Sequence, residues 1–159
     1  MRRKPAPEFA PPTASWVERE AVDVFRYPAD MTGAGPKPAF DVLLSTLPDV
    51  MDRGIYGTFR VREGPPEYFA CAQRLPTDPP AYPDLQAGTI PGGLFVRRIY
   101  LGDWRLTIPD IPRHFHRLVA EYHHDPGRPS IEWYRGDNEL QLLLPVLDRK
   151  ERPPAAVPP

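Results

Sequence analysis

The sequence predicts an α+β fold: duplicated βαββ units forming a curved antiparallel sheet, with two helices on one face and a ligand groove on the other. Three observations carry that expectation. Two segments show the apolar spacing of amphipathic helices, six further apolar runs read as short strands, and in chain order they fall as strand, helix, strand, strand, and then the same again. Proline accounts for 24 of the 159 residues, which excludes long helices and coiled coils, because each internal proline removes a donor and clashes with the preceding turn.

The first helical stripe is Phe40, Leu43, Leu44, Leu47 and Met51, at i, i+3, i+4, i+7 and i+11, with Pro48 as a bend or stop and Gly54 suited to the left-handed position beyond it. The second is Ile111, Phe115, Leu118, Val119 and Tyr122, opened by Asp110 as a capping acceptor and Pro112 in the first turn, with Gly127 beyond its end. The strands are expected at Val22–Tyr27, Gly54–Val61, Tyr68–Leu75, Leu94–Leu101, Ser130–Arg135 and Leu140–Leu147, each rich in β-branched or aromatic residues and bounded by Gly, Pro or Asp. Gly136-Asp137-Asn138 is the turn between the last two. A single domain is placed at 15–148, with halves of about 15–75 and 85–148 joined by the Pro-rich stretch 76–92. Residues 1–14 and 149–159 are predicted flexible tails, too poor in large apolar groups to repay ordering.

A local alignment sets Ile55–Arg60 beside Ser130–Arg135, so that Gly57 answers Glu132 and Phe59 answers Tyr134. Alternation places Glu132 and Tyr134 on one face of their strand and Ile131 and Trp133 on the other. If the latter pair packs under the helices, the former looks into the uncovered hollow. A carboxylate there serves a cationic or polyhydroxylated ligand, pairs with Arg97 or Arg98, or reaches solvent at an edge.

Several kinds of chemistry are set aside. The 20 basic and 21 acidic residues leave a net charge of -1, which does not favour direct nucleic-acid binding. The one cysteine, Cys71, excludes an internal disulfide and a multi-cysteine zinc site, and its strand position predicts a buried, inert thiol. His114 and His116 lie two apart on a helix and His123-His124 are adjacent, so none has the spacing of a helical metal pair; the last two suit the helix's negative end. No metal and no cofactor is expected. No apolar run is long enough for a membrane-spanning helix, and the basic start lacks an apolar segment after it, so a cytoplasmic protein is the expectation.

Three ordered segments resemble the GyrI-like small-molecule-binding domains. They are Ile90–Val96 with Tyr100–Trp104, then Pro129–Tyr134, then Leu140–Val146, and in that order, with a helix between the first and second, they mark out residues 85–147; in the first half only element order and Glu67–Pro76 match. The resemblance implies two pseudo-symmetric βαββ halves of the SHS2 type around a groove. That family includes effector-binding domains of AraC- and MerR-type transcription regulators, stand-alone proteins acting on gyrase or sequestering drugs, and hydrolases of cyclopropane-containing toxins. The implied role is binding of bulky aromatic, often cationic ligands, with Glu132 and Tyr134 at the pocket positions and Trp104 where the family carries Gly-x-Tyr. Tyr68 and Phe59 join them on alternation and pseudo-symmetry. A stand-alone effector- or drug-binding protein is therefore expected rather than an enzyme. The alternatives are a hydrolase using Glu132 as its acid or base, and a module partnering gyrase or a regulator.

Overall fold

The computed structural model describes residues 8–9, 14–61 and 63–153. The strands are β1 (Glu8–Phe9), β2 (Ser15–Arg19), β3 (Val22–Pro28), β4 (Ile55–Arg60), β5 (Glu67–Gln73), β6 (Gln86–Ile90), β7 (Gly93–Leu101), β8 (Tyr122–His124), β9 (Ser130–Arg135) and β10 (Glu139–Glu151); the helices are α1 (Pro36–Thr46) and α2 (Ile111–Glu121). Every strand pairing is antiparallel. The order across the sheet is β1-β7-β10-β9-β4-β5-β3-β6, with β2 also on β7 and β8 on the far end of β10.

The expected duplication is visible in that order. β3-α1-β4-β5 forms one unit and β7-α2-β9-β10 the other, each with its last strand flanked by its first two, and the units join through β4 and β9. At the join Gly57 sits directly across from Glu132, with Ile55 across from Tyr134 and Phe59 across from Ser130. A pseudo-twofold axis through the Gly57–Glu132 pair therefore relates Phe59 to Tyr134, the equivalence that the local alignment gave.

Both helices differ in detail from their sequence patterns. Leu47 is extended, because the residue before a proline is pushed out of the helical region, so α1 stops there rather than running on to Met51. Met51 instead sits in a 3₁₀ turn and is 92% exposed, Leu44 is exposed, and Gly54 leads into β4. The buried stripe of α1 is Ala39 and Leu43. Asp110 makes no side-chain cap on α2; its carboxylate pairs with Arg113 at 3.0 Å. Tyr122 is already extended and opens β8, and it stays buried in the cluster it shares with Leu118, Leu144 and Val146.

Four strands were not expected from the sequence. Glu8–Phe9 forms β1 within the predicted tail, whose remaining residues up to 13 lie outside the described ones, as do 154–159; β10 runs on to Glu151. β2 lines the edge of β7, β6 lies inside the Pro-rich joining stretch, and β8 follows α2 directly.

The link between β6 and β7 shapes the sheet. These strands lie towards opposite ends of the order, yet only Pro91 and Gly92 separate them, so the sheet must curl until its ends approach. Arg128 holds the closure: its guanidinium donates to the carbonyls of Gly92, Leu94 and Val146 and to the Asp125 carboxylate, and lies over the Phe95 ring. The inside of the curl contains Val24, Tyr56, Cys71, Ile90, Phe95, Ile131 and Leu143. The outside carries the helices, with α1 over Phe25, Ala70 and Ala72 and α2 over Val96 and Leu144.

A buried ion pair fixes the joining stretch to the first unit. Arg53 makes two parallel bonds to Asp78 at 2.5 and 2.6 Å and donates to the carbonyls of Pro48 and Gln73. Asp78 also accepts from the Leu75 amide and the Tyr82 hydroxyl, and the Arg53 guanidinium holds its carboxyl far below the usual range.

Candidate functional site

Cross-strand pairing decides where Glu132 points. Glu132 pairs with Gly57 and Leu142, and Gly57 pairs with Ala70, which packs under α1. Paired residues share a face, so Glu132, Tyr134, Tyr68 and Phe59 all lie on the helix-bearing side. This reverses the expected arrangement. Ile131 and Trp133, not Glu132, look into the hollow without helices, because the sheet curls away from the helices and these two pack against the strands that meet inside the curl. An apolar cluster packs inside it, with Arg19 over the Trp133 ring at 4.5 Å and Arg26 over Phe69 at 4.0 Å, and what remains open is a cavity of about 190 Å³. Neither arginine considered as a partner for Glu132 reaches it. Arg97 is on the inner face, and Arg98 donates to Glu121.

Glu132 itself is 7% exposed and sits between the two units. The Tyr68 hydroxyl, from β5 of the first unit, donates to its Oε1 at 2.6 Å; the Tyr134 hydroxyl, two residues along β9 in the second unit, donates to the same oxygen at 2.6 Å. Oε2 receives no hydrogen bond from a described residue. Burial pushes the Glu132 carboxyl above its ordinary value, and the two phenols pull against that shift without cancelling it. Both phenols are held well above their usual range, first by burial and then by the adjacent carboxylate.

The space for this arrangement depends on Gly57. A Cβ there would lie 2.0 Å from the Tyr68 hydroxyl oxygen and 2.7 Å from Glu132 Oε1, so only glycine fits. Aromatic rings close over the carboxylate. Phe40 of α1 meets Tyr68 and Tyr134 edge-on at 6.3 and 5.8 Å, and Trp104 meets Tyr134 at 4.8 Å while its indole N–H donates to the Gly136 carbonyl at 2.7 Å. Phe59 lies on the same face at the next cross-strand pair, opposite Tyr68. An open groove of about 450 Å³ passes Tyr134, between the exposed Met51 and Gly136.

Four of the five residues singled out from the sequence thus meet in one network, and Phe59 borders it. Phe40 and Gly57 were not singled out. Phe40 belonged to the helical stripe and gave no sign of turning from the core to the site, whereas a glycine inside a strand, set against a glutamate in the alignment, is a signal of close approach.

The histidines do other work. His123 Nδ1 meets Asp148 at 3.0 Å rather than the helix end, His114 is buried against the Tyr100 hydroxyl, and burial lowers the pKa of His114 and His124. Burial pushes the Cys71 thiol up to about 12, which leaves it un-ionised at neutral pH. Among the described residues no helix is long and apolar enough to cross a membrane.

No protein-family model matches the sequence, and no curated protein matches it. Solved structures do. An integron cassette protein from the mobile metagenome of Vibrio cholerae superposes with a TM-score of 0.69 at 15% identity, over 87% of this chain and 97% of that one. The regulator EcmrR, solved in a DNA complex, gives 0.55 at 12% identity over 84% of this chain; the chain spans about half, 56%, of that protein. A hydrolase from Listeria innocua gives 0.51 at 9% identity, over 84% of this chain and 90% of that one. At such identities the likeness is one of fold.

Proposed function

We propose that the chain binds small aromatic cations, with Glu132 as the anchor and the rings of Tyr68, Tyr134, Trp104 and Phe40 as the walls. The observation that carries this reading is the unequal use of the carboxylate: both phenols bond to Oε1, and Oε2 is left for a ligand. Two fixed donors hold the group in one orientation, so a ligand does not have to order it. A cation would relieve the cost of a buried charge, which a neutral molecule of the same shape would not. Ring faces add about 0.5–2 kcal/mol per cation–π contact, depending on desolvation. The ligand enters from the groove beside Tyr134, with Trp104 and Phe40 turning aside. The resemblance to GyrI-like domains supports the same reading, as does a fold shared with a cassette protein and part of a regulator.

Calorimetric titration with benzyltrimethylammonium and with its neutral isostere neopentylbenzene tests it. The cation is expected to bind and the isostere not to, with binding lost in Glu132→Gln. Equal binding of both by the unmodified chain, or unchanged cation binding in Glu132→Gln, would remove Glu132 as the anchor.

A carboxyl with a raised pKa beside two phenols also suits proton transfer, and one neighbour in fold is a hydrolase. On that second reading an electrophilic ring compound incubated with the protein gains the mass of water, and Glu132→Gln abolishes the gain.

A further inference from the structure

Inside the curl, on the face opposite Glu132, a cavity of about 190 Å³ remains, and its lining does not match its surroundings. Val24, Phe69, Ile90, Pro91 and Pro129 supply apolar walls, while Arg26 and Arg60 bring two guanidinium groups against one carboxylate, Glu67. Arg26 is held in place: its guanidinium lies over the Phe69 ring at 4.0 Å, and on the other side it presses on Gly88, where a Cβ would come within 2.9 Å of its Nε. That Nε is buried and has no hydrogen-bond partner, and no described residue accepts a hydrogen bond from either Arg26 or Arg60. A guanidinium carries five donors, and leaving a buried one such as Arg26 Nε unmet is costly. Here the chain has fixed one such group between a ring and a glycine and placed a second, half-buried, on the same cavity, and the one carboxylate there, Glu67, accepts a hydrogen bond from neither.

We infer that this cavity is a second binding site, for a small carboxylate with an apolar body. The carboxylate would lie against Arg26 and Arg60, where a planar fork suits its two oxygens, with its body against Ile90, Pro91 and Val24. The volume is below the roughly 300–1,000 Å³ of pockets for drug-sized ligands, so the occupant is of the size of benzoate. The two faces of one sheet then select opposite charges. β4 serves both, with Gly57 turned to the cation site and Thr58 to the anion cavity. This inference does not depend on the function proposed for Glu132.

The test is titration of the full chain with benzoate and, separately, with inorganic phosphate, followed by amide NMR. Benzoate is expected to shift amides of β3, β4 and β6, and to bind at least about tenfold more weakly, ~1.4 kcal/mol, in Arg60→Gln and in Arg26→Gln. Arg60 lies at the strand end, so its variant is informative even if Arg26→Gln folds poorly. Glu132→Gln is expected to leave benzoate affinity unchanged. Phosphate binding as strong as benzoate would overturn the role of the apolar walls. No benzoate response, or one that survives both arginine substitutions, would overturn the site.

Discussion

The two units share a topology but not a chemistry. At the pseudo-twofold axis the first has Gly57 where the second has Glu132. Two glutamates facing each other there would be like charges in direct cross-strand contact, which is destabilising. With one side reduced to glycine, a single carboxylate takes a tyrosine hydroxyl from each unit. The asymmetry extends to what holds each unit together. The second rests on the wholly buried run from Leu140 to Leu144 in β10 and on α2. The first has a helix with two buried residues, and ties its turn, its joining stretch and the end of β5 together through Arg53 and Asp78. A duplicated fold can thus keep its backbone symmetry while dividing roles, with one half making room and the other supplying charge.

The largest expected effect breaks the first unit alone. Asp78→Ala leaves the Arg53 guanidinium buried and unpaired and should cost about 3 kcal/mol or more in urea unfolding. Because the Asp78 carboxyl lies far below its ordinary value of 3.8 in the folded chain, its stabilisation is complete above that value and is lost as the pH falls through it towards the folded pKa. The variant should therefore lose less stability than the unmodified chain below about pH 4.

Next comes Gly57→Ala, which forces the Tyr68 hydroxyl away from Glu132. It is expected to cost about 1–3 kcal/mol, by the desolvation penalty of a buried group stripped of a donor, and to abolish ligand binding. The reverse change on the other side, Glu132→Gly, should spare the fold by comparison, since it removes the charge along with its need for partners. Comparing the two by thermal unfolding shows whether room or charge is the stricter requirement.

Tyr68→Phe and Tyr134→Phe sharpen the comparison, since each removes one hydroxyl from the same oxygen. Their costs should be alike, about 1–2 kcal/mol each, and the double variant should depart from additivity because both act on one group. The smallest effect is that of Glu132→Gln on stability. A carboxyl whose folded pKa is raised is most favourable when protonated, so its contribution is greatest below the ordinary value of 4.5 and is lost as the pH rises through the folded pKa. Glu132→Gln should flatten that decline, giving a chain as stable as the original or slightly more so near neutral pH.

How much of this the sequence disclosed depends on which residues carried each feature. The βαββ order, Ser130–Arg135 and the Gly136 turn were legible because side-chain alternation and turn chemistry are local. β6 was not. Gln86, Ala87 and Thr89 are exposed, and this strand exists because β3 offers it backbone partners, a condition that leaves no apolar pattern. The face of Glu132 was read backwards for a related reason. Alternation states which residues share a side, but both sides of β9 are buried, and the choice between them was made by the two-residue link at Pro91-Gly92, which curls the sheet away from the helices. Glu132, Tyr134, Tyr68 and Trp104 were nonetheless found together, because shared faces and paired registers survive the reversal.

The central claim is that the Glu132 carboxylate receives a cation. Its most direct test is the ¹³C carboxyl titration of Glu132 by NMR, in the free chain and in the presence of benzyltrimethylammonium. The account predicts a midpoint above the ordinary glutamate value in the free chain, shifted downward once the cation is added. A midpoint that stays where it was while the ligand is bound elsewhere would contradict it.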